Sequence, residues 1–366
     1  YWMLQTGENL MGLPQGPGIA VLRMVRPMDR WVCVVGYALA KGLPSLKHED
    51  LLPFVHRTIG SDQVPVKILS VSTWTTNRQY ALTNTQGRVF CIGDAVHRHT
   101  PFGGLGSNTC IQDAYNLSWK LAMVIQGQAG ASLLNTYQDE RAPIAKQITE
   151  HAFNGGASMG PLLMALGVPP GSGPEAMEQA VARLKEPSAE GAERRAKLRQ
   201  AMDGTLNGFG RAHGIELNQR YRSSAIVSGG TPDPGFARDP VQYHQASSRP
   251  GAPLPHAWVT RGQRKISTFD LCGQGRFTLL TGLSGMAWKA TAEQAAAALG
   301  IELVVHVIGF GQEVVDSHGD YLRISEVEES GALLVRPDLM VAWRAANADS
   351  TQLAQLPSVL RQILGR

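Results

Sequence analysis

The residues best equipped for chemistry lie in one stretch, Gly93-Asp94-Ala95-Val96-His97-Arg98-His99-Thr100-Pro101-Phe102-Gly103-Gly104-Leu105-Gly106-Ser107-Asn108. A short apolar run, Arg88 to Ile92, leads into it, so Asp94 falls at the carboxyl edge of a strand, where α/β proteins bind ligands. A carboxylate there can hold sugar or ribityl hydroxyls. Gly103, Gly104 and Gly106 carry no Cβ, which lets bare backbone approach a flat ring. A helix starting at Ser107 or Asn108 then aims free amides and a positive dipole end at the loop. Such a site suits a group that becomes negative. A Gly-x-Gly on its own also fits an ordinary strand-to-helix turn.

Several elements must position this stretch. The helix is expected from about Ser107 to Gln126, with Ile111, Ala114, Tyr115, Ser118, Leu121, Ala122 and Ile125 on one face and Gly127 as its stop. A second helix, Leu133 to Arg141, should end or kink at Pro143. Upstream, residues 1–80 read as an α+β piece with strands at Tyr1 to Gln5, Ile19 to Val25, Trp31 to Tyr37 and Val66 to Thr73, and a helix from His48 to Ile59 closed by Gly60. Turns at Gly16-Pro17-Gly18 and Arg26-Pro27-Met28-Asp29 separate the strands. Downstream, helices are expected over Pro174–Lys185 and Ala189–His213, after a Pro/Gly-rich linker from Gly167 to Pro174. The run from Ser228 to Pro255 reads as a domain boundary or wrapping arm. Strand, helix, strand, two strands and helix then follow, at Phe277–Thr281, Thr291–Leu299, Leu303–Ile308, Leu333–Val335 with Val341–Arg344, and Leu353–Leu364. That order suits a small α/β domain of thioredoxin type.

Composition narrows the function class. The 366 residues, with 34 Lys+Arg against 30 Asp+Glu and a net charge of +4, give no concentrated basic surface for nucleic acid. The longest near-continuous apolar stretch, Val32 to Ala40, is far shorter than the roughly 20 residues of a membrane-spanning helix. Cys33, Cys91, Cys110 and Cys272 stand far apart with no C-x-x-C pair, so neither a metal site nor a disulfide framework is expected, and the compartment reads as cytoplasmic. The chain starts at Tyr1 in what reads as a hydrophobic strand, which leads us to expect preceding residues.

The 93–108 block resembles the second flavin-contacting motif of FAD-dependent aromatic hydroxylases of the p-hydroxybenzoate and phenol hydroxylase type. Ile111 to Ala122, Leu133-Leu134-Asn135-Thr136-Tyr137 and Glu140-Arg141-Ala142-Pro143 continue the match. Ser267 to Gly273 and Arg276 to Gly282 narrow it to the phenol-hydroxylase branch, so the resemblance covers nearly the whole chain. It implies an α/β and α+β multi-domain fold: a substrate-binding sheet region over 1–80, the second half of an FAD-binding domain with helices over 81–225, and a linker arm with a thioredoxin-like domain lacking C-x-x-C over 226–366. It implies FAD held by Asp94, Pro101, Gly104, Leu105, Gly106, Ser107 and Asn108, with NADPH as transient co-substrate. The reaction implied is hydroxylation of a (chloro)phenol by O2, ortho to its hydroxyl, through a flavin hydroperoxide, giving a catechol. A homo-oligomer is expected. Another phenol, such as a resorcinol or hydroxyphenylpropionate, is the alternative substrate, and a non-catalytic assembly module the alternative role.

The sequence departs from that family in two respects. No G-x-G-x-x-G occurs, since Gly16-Pro17-Gly18, Gly171-Ser172-Gly173 and Gly309-Phe310-Gly311 each fail at the third glycine, so the chain reads as half of a flavin site. The strand Trp31 to Tyr37 is also more apolar than in phenol hydroxylases, which favours a chlorinated phenol. His97 and Pro101 are the candidates for catalytic contact. His97 and His99, at alternate positions, are expected on opposite sides of an extended backbone, and each reads as a general base or a structural hydrogen-bonding group. Trp2, Leu4 and Trp31 read as pocket wall or plain core.

Overall fold

The computed structural model describes residues 2–7, 18–35, 42–157, 159–168, 174–209, 211–230 and 232–366. They form two compact units, residues 1–75 with 157–206, and residues 76–156 with 207–366.

In the first unit, β1 (Trp2–Gly7), β2 (Gly18–Arg26) and β3 (Arg30–Val35) make an antiparallel sheet in that order, with Leu4 opposite Val21 and Leu22 opposite Cys33. The β-branched Ile19, Val21, Val25, Val32 and Val34 suit such a ladder. Met28, at φ 58, closes the turn between β2 and β3. Residues 8–17 and 36–41, including the Gly16-Pro17 turn and the end of the expected third strand, lie outside the described residues. Helix α1 (His48–Ile59) ends where Gly60 enters the left-handed region at φ 83. The expected strand Val66–Thr73 does not form: this stretch joins no ladder, and Leu69 stands 63% exposed. A β-branched run without a pairing edge gains nothing from being extended.

The chain next enters the second unit with short strands β4 (Gln79–Tyr80), β5 (Thr85–Gln86), β6 (Val89–Phe90) and β7 (His97–Arg98). β4 pairs with β7, and β5 with β6. Two long helices follow, α2 (Leu105–Ile125) and α3 (Asn135–Ala157). α3 does not end at Pro143 but continues past it to Ala157, with Tyr137, Glu140, Arg141, Ile144 and Ile148 buried on both sides of the proline. α4 (Met159–Leu166), α5 (Pro174–Leu184) and α6 (Ala189–Phe209) follow, and the expected linker residues 169–173 lie outside the described residues.

The rest of the second unit starts with α7 (His213–Leu217) and an irregular arm. The arm hydrogen-bonds to the segment after residue 338: Gly251 N–H donates to the Val341 carbonyl at 2.8 Å and Leu254 N–H to that of Leu339 at 2.8 Å. β8 (Trp258–Arg261), β9 (Arg264–Ser267), α8 (Thr268–Leu271), β10 (Phe277–Gly282), α9 (Ala287–Leu299), β11 (Leu303–Ile308), β12 (Val314–Val315), α10 (Asp320–Ser325), β13 (Ala332–Val335), β14 (Val341–Ala345) and α11 (Ser350–Ile363) complete it. The seven strands are ordered β14-β13-β10-β11-β12-β8-β9, with β10 parallel to β11 and antiparallel to β13. Central β10 is buried along its whole length, as a strand covered on both faces must be. Trp288, Leu356 and Leu360 pack one face together with Trp119 and Met123 of α2, so α2 and this sheet share a core. Among the described residues no helix is long and apolar enough to cross a membrane.

Candidate functional site

The turn after β6 is set by Gly93. Its φ of 62 lies in the left-handed region, and a Cβ there would stand 3.0 Å from the Cys110 Sγ. Asp94 follows in a single 3-10 turn and is exposed. His97, 2% exposed, faces inward from β7. Its Nε2 lies 2.8 Å from Asp113 Oδ2 of α2, the same oxygen that accepts the Gly93 N–H at 3.1 Å. The other carboxylate oxygen accepts Arg141 Nε–H from α3 at 2.7 Å. Burial by itself would raise the Asp113 carboxyl, but the His97 bond, the Arg141 charge and the Gly93 amide more than offset it and hold the group below its ordinary value. An ionised Asp113 only accepts, so His97 Nε2 carries a hydrogen committed to it.

The histidine rings do not diverge. Positions i and i+2 of an extended strand share a face, and the two rings lie 6.4 Å apart at 19°. His99 Nδ1–H donates to the Thr100 carbonyl at 2.8 Å.

α3 fixes the loop that follows. Thr100 Oγ1 donates to the Ala152 carbonyl at 2.8 Å, and the Phe102 ring fills the space beside Gly155, where a Cβ would come within 2.2 Å of it. Pro101 is exposed between these two anchors. Gly103 and Gly104 then take φ of 77 and 67, which L side chains rarely adopt. A Cβ at Gly104 would meet nothing within 4 Å, whereas one at Gly106 would meet His99 Cε1 at 3.7 Å, an ordinary contact. The conformational constraint therefore lies at Gly103 and Gly104 rather than at Gly106.

α2 begins at Leu105, two residues before its expected start. Leu105 is buried at 4% and anchors the helix end, while Ser107 and Asn108 are exposed. No side chain caps this terminus, so the first-turn amides point out of the helix with its positive dipole end. The stretch thus offers a solvent-facing carboxylate, bare left-handed backbone and a helix terminus that favours negative charge. Those features fit an extended ligand with hydroxyls on one part and an anionic edge on another, as in FAD.

The face of α2 turned inward is not the one expected: Leu117, Trp119 and Met123 are buried on it together with polar residues. Ile111 is 66% exposed and Ile125 81%, whereas Thr109, Asp113, Asn116 and Lys120 are buried. Their spacing of four, three and four residues is a polar stripe at helical period, a signal present in the sequence. Lys120 Nζ donates to Glu140 Oε2 and Asn116 Oδ1, both at 2.8 Å. Arg336 grips Glu140 at 2.6 and 2.8 Å and also donates to Asp338. Burial by itself would raise the Glu140 carboxyl, yet Arg336 and Lys120 hold it far below its ordinary value. Burial pulls Lys120 down to about 8. The consecutive Glu140 and Arg141 thus divide their work, one reaching the turn between β13 and β14 and the other the turn at Gly93.

Trp31, on β3 of the first unit, is 44% exposed, and the side chains of Trp2 and Leu4 lie outside the described residues. Among the described residues no group of three or more His, Cys, Asp or Glu side chains is placed to hold a metal ion.

Comparison with known proteins gives two family matches: an FAD binding domain over residues 1–152 and an aromatic-ring hydroxylase C-terminal domain over 247–366. The chain is 52% identical over 364 residues to a 2,4-dichlorophenol 6-monooxygenase of Delftia acidovorans, covering 100% of this chain and 61% of that protein. It is 44% identical to a phenol 2-monooxygenase of a Pseudomonas species, over 94% of this chain and 58% of that one. Among solved structures, the flavin-dependent monooxygenase PieE in complex with FAD and substrate superposes with a TM-score of 0.88 at 40% identity, over 95% of this chain and 59% of that chain. The chain thus spans about three fifths of the length of these relatives.

Proposed function

We propose, from the premise that this chain belongs to the FAD-dependent aromatic-ring hydroxylases, that it supplies the ribityl and pyrimidine side of the flavin site of a phenol hydroxylase. The observation that carries this reading is the run from exposed Asp94 through left-handed Gly103 and Gly104 to the uncapped start of α2. Asp94 accepts hydroxyl hydrogen bonds from the ribityl chain. The free first-turn amides at Leu105, Gly106 and Ser107 favour negative charge on the pyrimidine edge, while the Asn108 N–H, one residue further on, turns to the Gly104 carbonyl. Pro101, held between Thr100 and Phe102, presents an apolar surface to the ring system and substrate. His97 keeps its Nε2 hydrogen on Asp113 and so holds the turn. Bound FAD, reduced by NADPH, supplies the electrons that activate O2 for insertion ortho to a phenolic hydroxyl, giving a catechol.

The substrate class we assign is a chlorinated phenol. The apolar β3 and the identity shared with the 2,4-dichlorophenol 6-monooxygenase support it. Residues 1–80 form the substrate-side sheet region, 81–225 the FAD-side segment, and 226–366 the arm and a thioredoxin-like domain. The parallel pair β10–β11 beside the antiparallel pair β13–β14, with α9 and α11, supports the last assignment. That domain works without a dithiol, since Cys272 is buried and its thiol is pushed up to about 12 by burial. We also assign a homo-oligomer. The test is NADPH consumption and product analysis with FAD and a panel of 2,4-dichlorophenol, phenol and resorcinol. Dichlorophenol should stimulate NADPH oxidation most and yield the chlorocatechol. Stimulation by none of the three, with no catechol formed, would overturn the reading.

A further inference from the structure

Asp113 lies beneath the loop, away from any surface, and both of its oxygens are engaged. Its side chain is 1% exposed, as is that of His97, and the Arg141 side chain is fully buried. Oδ2 receives the Gly93 amide and His97, and Oδ1 receives Arg141. Arg141 is held in turn by Gln219 at 3.1 Å and the Tyr221 hydroxyl at 2.9 Å. A carboxylate fixed from behind in this way fixes whatever it accepts from. Here that is the amide of the residue next to Asp94, in a left-handed turn that a Cβ would push onto Cys110.

We propose that Asp113 is a positioning residue for the flavin: braced by Arg141, it pins the Gly93 amide and His97 and so sets the pose in which Asp94 meets the ribityl hydroxyls. The proposal rests on the reading of Asp94 given above. Helix packing alone does not call for this arrangement, because a buried salt bridge costs desolvation that an apolar pair would avoid. What the carboxylate adds is an acceptor aimed at one backbone amide, the kind of support that holds a binding group in its working geometry.

Asp113→Asn removes that acceptor and also the charge that pairs with Arg141. If the amide oxygen stays on Arg141, the NH2 faces the Gly93 N–H, and two donors cannot bond. Gly93→Ala disturbs the same turn from the other side while leaving every buried charge paired. The experiment is a double-mutant cycle on FAD dissociation constants, from flavin fluorescence titration of the apoprotein, with melting temperature recorded for each variant. Asp94→Ala is expected to weaken FAD about tenfold, as loss of a charge-assisted bond does. Asp113→Asn and Gly93→Ala should each weaken it about as much in the native background, and by less than about twofold when Asp94 is already Ala. Losses that simply add in the Asp94→Ala background, or native FAD affinity in Gly93→Ala, would overturn the positioning role. If Asp113→Asn fails to fold, the Gly93→Ala cycle decides alone. An Asp94→Ala protein that keeps native affinity refutes the reading of Asp94 itself, which the other arms then show separately by whether FAD still responds to the turn.

Discussion

Gly104 and Gly106 look alike in sequence, yet only the first is constrained. Gly104 holds φ 67 with open space around it, and Gly106 lies within α2 beside His99. Gly104→Ala should therefore cost about 1–2 kcal/mol of stability through left-handed strain and also weaken FAD, because the new methyl projects into the loop's open side. Gly106→Ala should leave the melting temperature nearly unchanged. Thermal denaturation of the pair decides this, and equal losses would contradict the assignment of the constraint. The glycine cluster was legible in the sequence, but which glycine bears the strain was not, because that depends on where α2 begins. The helix starts at Leu105, whose side chain is buried, rather than at the polar Ser107.

At the scale of elements, the site depends on α2 and α3 in different ways. α2 presents its terminus, and α3 clamps the loop through Ala152 and Gly155. A methyl group at Gly155 would fall within 2.2 Å of the Phe102 ring, so Gly155→Ala should shift Phe102 and Pro101 with it. The expected cost is about 1–3 kcal/mol from overpacking, together with weaker FAD binding. Unchanged stability and affinity would show that the ring has room to move. The apolar spacing of Ile111, Ala114, Tyr115 and Ile125 located α2 correctly but pointed to its exposed face. The buried face carries Asp113, Asn116 and Lys120 beside Leu117, Trp119 and Met123, and its polar members are satisfied by Glu140 and Arg141 of α3 and by the distant Asp338. Hydrophobic periodicity cannot report a polar core whose partners lie far along the chain.

For the molecule as a whole, Glu140 joins α3 to the turn between β13 and β14. It accepts from Lys120, Arg336, Asn116 and Ser223. Glu140→Gln would leave two buried cations short of their shared anion and should destabilise by about 3–5 kcal/mol in urea or thermal unfolding. Stability should also depend on acid in a defined direction. Asp113 and Glu140 both sit below their ordinary values in the folded state, so their contribution is present above about pH 4 and is lost as pH falls through the folded values. Flat stability between about pH 5 and 2 would contradict that linkage. In this part β10, α9, β11, β13, β14 and α11 lie close to where period and turn residues placed them, whereas the short β12 and α10 were not expected. The ties that join them to α2 and α3 were not legible, since no local pattern relates residue 140 to residue 336.

In the proposed site the flavin lies on the loop from Gly93 to Asn108 and the first turn of α2. Hydrogen–deuterium exchange of the protein with and without FAD tests this placement most directly, because the amides at the start of α2 have no partner within the helix. Exchange in peptides spanning residues 93–108 should slow markedly when FAD is added. Binding of FAD with no protection in those peptides, and protection confined to other segments such as 277–309, would contradict it.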